Sequence, residues 1–96
     1  MSIRWTASAH RDYAAAVCYL GERDVGAARR LVERVHLALG DLDEGRVEGP
    51  AFTLTSGEQV RGWLVSPFRI YYQRDGQTLV VLRLYDQRRA PIADRA

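Results

Sequence analysis

Apolar residues recur along this chain at two different spacings, and the change from one to the other divides it. In the first half the step is three or four residues. Ala9, Tyr13, Ala16, Val17 and Leu20 form one such stripe, and Ala28, Leu31, Val35, Ala38, Leu39 and Leu42 form a second, longer one. Arg29, Arg30, Glu33 and Arg34 fall off the second stripe, so the pattern is that of an amphipathic helix with a charged outer face. Thr6 or Ser8 can cap the first helix and Asp24 the second, because a short side-chain oxygen can accept from the free N–H groups of a first turn. Gly21 stands near the end of the first and Gly45 ends the second. The spacing predicts helices near 7–21 and 24–44, joined by so few residues that they must fold back as an antiparallel hairpin. Ser2–Trp5 ahead of them reads as a short strand lying beside the last one.

From Glu58 onward the step becomes two. Val60–Val65, Phe68–Arg74 and Thr78–Tyr85 read as three strands in sequence. Asp75-Gly76 between the last two predicts a hairpin with a type I′ turn. If the first two strands pair in register, the odd positions Arg61, Trp63, Arg69 and Tyr71 share one face. The third run is apolar at both parities, as a strand covered on both faces should be. It ends in Arg83, Tyr85 and Asp86-Gln87-Arg88-Arg89. Phe52–Thr55 and Glu58 flank Ser56-Gly57 as a further small hairpin at the sheet edge, and residues 90–96 show no pattern and read as a loose tail. The expected fold is α+β, one domain over 1–96: an N-terminal strand and an antiparallel helical hairpin packed on a mainly antiparallel sheet of three to four strands.

Composition narrows the chemistry. No window approaches eighteen uninterrupted apolar residues, so a membrane span is not expected, and the N-terminus lacks the apolar core of a signal peptide; the chain reads as cytoplasmic. Cys18 has no partner for an internal disulfide and reads as a small core residue of the first helix. One cysteine and two helical histidines, His10 and His36, lack any metal-ligand spacing, and neither metal nor cofactor is expected. All fourteen basic residues are arginine. Residues 49–96 carry seven of them against four acids, so the sheet half is the basic half and suits an acidic protein segment or nucleic acid. The candidate partner-binding residues are Arg61, Trp63, Arg69, Tyr71, Arg83, Tyr85, Arg88 and Arg89. The competing reading is that alternating arginines and tyrosines merely cover a solvated sheet face, with Trp63 packed in the core or at an edge.

The order and spacing of IRWT, FRIYYQRDG, LVVLRLYDQRR and the closing AP resemble the RelE/ParE toxins of bacterial type II toxin–antitoxin pairs. The carrying pieces are the aromatic-Arg-x-x-Tyr strand (Phe68, Arg69, Tyr72), the turn after it, and the Val-Leu-Arg-Leu-Tyr run that leads to a double arginine. The resemblance implies one of two mechanisms. RelE-like members cut messenger RNA on the ribosome by attack of a 2′-hydroxyl on the adjacent phosphate, which needs a base, an acid and cations for the phosphorane. Arg61, Arg69 and Arg88 (or Arg89) match basic positions of that pattern, whereas Trp63 stands at a second one and no tyrosine follows Arg89. Asp86 occupies a position where many similar sequences have histidine, and a carboxylate among arginines should be acidic and salt-bridged. ParE-like members poison DNA gyrase by binding it and need no such proton carriers. The residues place this chain nearer to them. The resemblance also implies a cognate antitoxin whose extended acidic and hydrophobic tail suits an arginine-lined face. An inactive remnant that only binds antitoxin is a third reading, and a homodimer is a further expectation to which no residue is assigned.

Overall fold

The structure, a computed structural model, describes residues 2–96. Its elements are β1 (Ser2–Trp5), α1 (Ala7–Arg23), α2 (Val25–Asp43), β2 (Ala51–Leu54), β3 (Gln59–Val65), β4 (Phe68–Asp75), β5 (Thr78–Asp86) and β6 (Ala93–Arg95). The strands form one sheet in the order β1-β5-β4-β3-β2-β6. The β1–β5 pair is parallel and the other pairs are antiparallel. The architecture is α+β as expected, but with six strands rather than three or four. The additional width comes from β2 and from the tail, which is not loose. Arg95 pairs with Phe52, Asp94 with Thr53 and Ala93 with Leu54, and Ala96 N–H donates to Ala51 C=O at 3.0 Å. Three residues are too few to show a period, and backbone hydrogen bonds, which carry no sequence pattern, hold them.

Each helix begins on the cap its sequence offers. Thr6 Oγ1 accepts from Ala9 N–H at 3.1 Å while its hydroxyl donates to Leu82 C=O at 2.9 Å, so one residue both starts α1 and ties it to β5. Asp24 is the whole joint between the helices. Its N–H donates to Leu20 C=O at 2.7 Å and its carboxylate accepts from Ala27 N–H at 3.2 Å, ending α1 and starting α2. A one-residue joint leaves only a tight antiparallel hairpin. From α2, Leu31, Val35, Ala38, Leu39 and Leu42 pack on Val65, Phe68, Ile70, Tyr72, Leu79, Val81 and Leu84 of the sheet. The α1 stripe contributes less, with Ala9 buried and Tyr13, Ala16, Val17 and Leu20 half-buried. Cys18 is exposed, not a core residue, because it lies off that stripe.

The register of the sheet corrects the expected faces. Val65 pairs with Phe68 across a two-residue turn, Ser66-Pro67, and such a turn sets odd-numbered residues opposite even-numbered ones. Arg61 is therefore opposite Tyr72 and Trp63 opposite Ile70, while Gly62 is opposite Tyr71 and Leu64 opposite Arg69. Cross-strand partners share a face. Arg61 and Trp63 thus lie on the helix-covered face and Arg69 and Tyr71 on the other, instead of all four together. The next turn also differs from expectation. Asp75 pairs with Thr78, so the central residues are Gly76-Gln77, and Gly76 alone has positive φ (60°), which excludes type I′. Between β4 and β5 the register slips at Tyr71/Tyr72, so that Tyr71 faces Arg83 while Tyr72 faces Val81, leaving Leu82 as a bulge. Leu82 joins a second, smaller core on the face away from the helices, built on Phe52, Val60, Tyr71 and Tyr85 with Leu54, Ile92 and Ala93. β5 is accordingly covered on both faces, as its apolar run predicts.

Where the α2–β2 connection crosses the sheet, Gly49 lies against Gly62. A Cβ on Gly49 would stand 2.2 Å from Gly62 O, a backbone atom that cannot swing aside. Gly49→Ala is therefore expected to lower stability by about 1–3 kcal/mol, read as a drop in Tm of roughly 4–8 °C per kcal/mol. Gly40→Ala, in α2 with nothing within 4 Å of the added Cβ, should instead stabilise by about 0.5–1 kcal/mol. Thermal melts of the two variants check the contrast.

Candidate functional site

On the face away from the helices, two aromatic rings carry four guanidiniums. Phe52 and Tyr71 meet edge to face with centroids 5.5 Å apart. The guanidinium carbons of Arg69 and Arg95 lie 4.8 and 5.2 Å from the Phe52 centroid. Those of Arg83 and Arg89 lie 5.6 and 5.2 Å from the Tyr85 centroid. Tyr71 and Tyr85 are only 2% and 6% exposed, so the arginines form the accessible surface and the tyrosines their support. Tyr85 hydroxyl donates to Ala90 C=O, which holds the start of the tail beneath Arg89. Arg69 Nε donates to Gln87 Oε1 at 3.1 Å. Arg83 is committed: it donates to both Asp12 oxygens at 2.6 and 3.1 Å, and the same carboxylate accepts from Leu84 N–H at 3.1 Å. The Asp12 hydrogen bond raises the Arg83 pKa further, against a smaller opposing effect of burial. Arg95 was not among the expected site residues, and no periodic signal around it could have placed it there.

Arg88 does not join this face. It wraps Asp86, with Nε and Nη2 at 3.0 and 2.7 Å from the two carboxylate oxygens and its backbone N–H at 2.9 Å. The Arg88 hydrogen bond holds the Asp86 carboxyl below the usual carboxylate range. The pair borders a groove of about 730 Å³ between α1 and the sheet, lined by Tyr19, Leu20, Phe68 and Leu84 with Arg11 and Arg89 at its rim. A second groove of about 480 Å³ is lined by Ile3, Trp5, Tyr13, Val32, His36 and Leu39.

Arg61 belongs to a third place. Its Nη1 donates to Gly49 C=O at 2.8 Å. Beside it the buried Tyr72 accepts from Gly49 N–H at 2.8 Å and donates to Glu48, and Arg74 donates to Leu42 C=O at 2.6 Å while lying 3.4 Å from the same Glu48 oxygen. The Tyr72 hydrogen bond is the largest influence lowering the Glu48 pKa, opposed by partial burial and assisted by Arg74 and Arg61. Burial first, and then Glu48, push Tyr72 up to about 12. Sequence reasoning missed Glu48 and Arg74, since the connection that brings Glu48 onto the sheet shows no period. Trp63 is half-buried against the main core. Arg69, Tyr71, Arg83, Tyr85 and Arg89 are thus brought together, whereas Arg61, Trp63 and Arg88 are not. Among the described residues no group of three or more His, Cys, Asp or Glu could hold a metal ion, and no helix is long and apolar enough to cross a membrane.

With this arrangement of helical hairpin, mixed sheet and arginine-ended strands in view, the comparison with known proteins is decisive. A family model described as ParE toxin of type II toxin-antitoxin system, parDE, matches residues 3–91. The chain belongs to the ParE toxin family. Among solved structures, one titled "Chromosomal ParDE TA system from P. aeruginosa" is similar with a TM-score of 0.67 at 22% identity, covering 90% of this chain and 95% of that one. At that identity the likeness is one of fold. No curated protein sequence matches the chain.

The Glu48–Tyr72 pair makes a pH test of this ParE-family fold. The folded protein holds the Tyr72 proton more tightly than the ordinary value of 10.0, so the pair's contribution is fully present below pH 10 and is lost as pH rises through about 12. Tyr72→Phe should cost about 1–3 kcal/mol at neutral pH, because Gly49 N–H loses its buried acceptor. Denaturant unfolding at increasing pH should show the gap between wild type and variant closing across that alkaline window.

Proposed function

We propose that this chain is the growth-inhibiting toxin of a type II toxin–antitoxin pair, that it acts in the cytoplasm by binding DNA gyrase rather than by cutting RNA, and that a cognate antitoxin neutralises it. The observation that carries the choice of target is the divergence of Arg61, Arg69 and Arg88. Attack of a 2′-hydroxyl on its adjacent phosphate needs cations gathered on that phosphate with a base and an acid beside it. Here Arg61 is held on Gly49 beside Glu48, Arg69 sits over Phe52 on the opposite face, and Arg88 is locked to Asp86 beside α1. The proton carriers near them are equally committed. Asp86 is ion-paired, Tyr85 donates to Ala90 C=O, and Tyr72 donates to Glu48. His10 and His36 lie on the exposed helical surface. A binding surface of Arg69, Arg83 and Arg89 supported by Tyr71 and Tyr85 needs none of those groups to move a proton.

The groove along α1 supports the antitoxin half of the reading. Tyr19 is 55% exposed at its wall, and Arg11, Arg88 and Arg89 rim an apolar floor of Leu20, Phe68 and Leu84. An acidic and hydrophobic tail ordered on contact can bury side chains there while its carboxylates meet the rim.

Two assays test this reading. Purified protein should inhibit supercoiling or accumulate cleaved DNA with gyrase in the absence of ribosomes, while messenger RNA in a translating extract stays intact. Codon-positioned cuts in ribosome-bound message with gyrase unaffected would overturn it. General acid–base groups contribute about 10²–10⁴-fold, so any residual cleavage without them should be far too slow to compete. For the antitoxin, Tyr19→Asp should weaken capture by the product of the neighbouring reading frame at least roughly tenfold, the cost of a buried unpaired charge, with gyrase inhibition unchanged.

A further inference from the structure

We propose that the arginine face of the sheet is also a docking surface for the phosphate backbone of duplex DNA, through Arg69, Arg89 and Arg95. Among the described residues these three guanidiniums form no ion pair with a carboxylate, unlike Arg83 with Asp12 and Arg88 with Asp86. Each is instead placed over a buried ring, Arg69 and Arg95 over Phe52 and Arg89 over Tyr85. Side chains already ordered in this way lose less freedom on meeting a ligand than free surface arginines would. Pairing along β2–β6 turns Arg95 to the same face as Phe52, and turns Asp94, opposite Thr53, away from it. Three cations outside any direct ion pair therefore stand on one face without an acid from their own tail among them, although Asp86 lies within electrostatic reach of Arg89.

The surroundings of these cations select the polyanion. Phe52, Tyr71 and Tyr85 are 6%, 2% and 6% exposed, so no ring is free to stack on an unpaired base, which is what single-strand binders rely on. Arg69 and Arg95 border no apolar trough for the hydrophobic side chains of an acidic peptide, and of the three only Arg89 also reaches the groove beside α1. The larger apolar linings are in the grooves beside α1 and α2. What remains is repeated positive charge on an ordered surface, the requirement for sequence-independent contact to phosphates. This binding is a property of the chain alone and requires no gyrase, so it stands or fails separately from the choice of target.

Fluorescence anisotropy of the purified full chain with a short labelled duplex of mixed sequence tests it. Binding should fall with salt between about 50 and 200 mM along a log–log slope near −3, as expected for about three phosphate contacts. The double variant Arg89→Gln with Arg95→Gln should reduce that slope by about 2 and weaken low-salt binding at least roughly tenfold. The charge-matched control Arg29→Gln with Arg30→Gln, on α2, should stay within about twofold of wild type. Arg69→Lys, which keeps the charge, should preserve the slope, and cooperative thermal melts with midpoints well above the assay temperature confirm that each variant folds. Equal weakening by the helical control, absence of binding at low salt, tighter binding to the single strand, or displacement of the duplex by an acidic peptide at lower concentration than by unlabelled duplex would each overturn the proposal.

Discussion

The two-residue turn at Ser66-Pro67 decides what each face of this sheet is for. Because Val65 closes directly on Phe68, every residue of β3 meets a partner of opposite numerical parity on β4. The helices demand Ile70 and Tyr72 beneath them, both fully buried, and this commits Trp63 and Arg61 to the same side. Arg69 and Tyr71 then have no choice but the other side. A slip of one residue would take Ile70 and Tyr72 out of the main core and put a guanidinium under the helices in their place. The separation of Arg61 from Arg69, on which the functional reading depends, follows from a packing constraint in the core.

The arginine face is a consequence of the second core. Phe52 and Tyr71 pack edge to face, a contact worth about 0.5–1.5 kcal/mol beyond area burial, and each exposed guanidinium placed over such a ring adds about 0.5–1 kcal/mol. The tail is needed to complete it. β6 pairs with β2, Ile92 and Ala93 pack on the rings, and Tyr85 ties down Ala90, so Arg89 and Arg95 are presented at fixed positions. Exposed ion pairs elsewhere, such as Arg30 with Asp24 at 3.7 Å, contribute little by comparison. The Arg83–Asp12 pair differs from these, because the carboxylate also takes the edge N–H of Leu84 and so fastens α1 where β1 no longer covers β5.

How much of this was legible follows from where the information lies. The two helices, Thr6 and Asp24 as their caps, and the three long strands could be read because each is written in a local period or a local hydrogen bond. The family could be read from the order of Phe68, Arg69, Tyr72 and the closing arginines. The face of each arginine could not, because alternation within Val60–Val65 and within Phe68–Arg74 is silent about the turn that sets one against the other. Cys18 looked like core from its residue type and helical position, although it lies off the apolar stripe of α1. Arg95, Glu48 and the β6 pairing were invisible for a shared reason: backbone hydrogen bonds and a crossing loop placed them, and neither leaves a pattern in residue type. Of the residues that the structure does gather on one face, Arg69, Tyr71, Arg83 and Tyr85 sit on regular strands, and Arg89 follows just after the end of β5.

The most direct test of this account is the side-chain neighbourhood of Arg69 in solution, observed as nuclear Overhauser contacts in the isotopically labelled protein. The account predicts contacts from Arg69 side-chain protons to the Phe52 ring and to Leu64, and from Trp63 to Ile70 on the opposite face. Contacts between Arg69 and the Trp63 ring, with Arg61 on the same side, would contradict it, since they would restore a single convergent cluster of Arg61, Trp63 and Arg69.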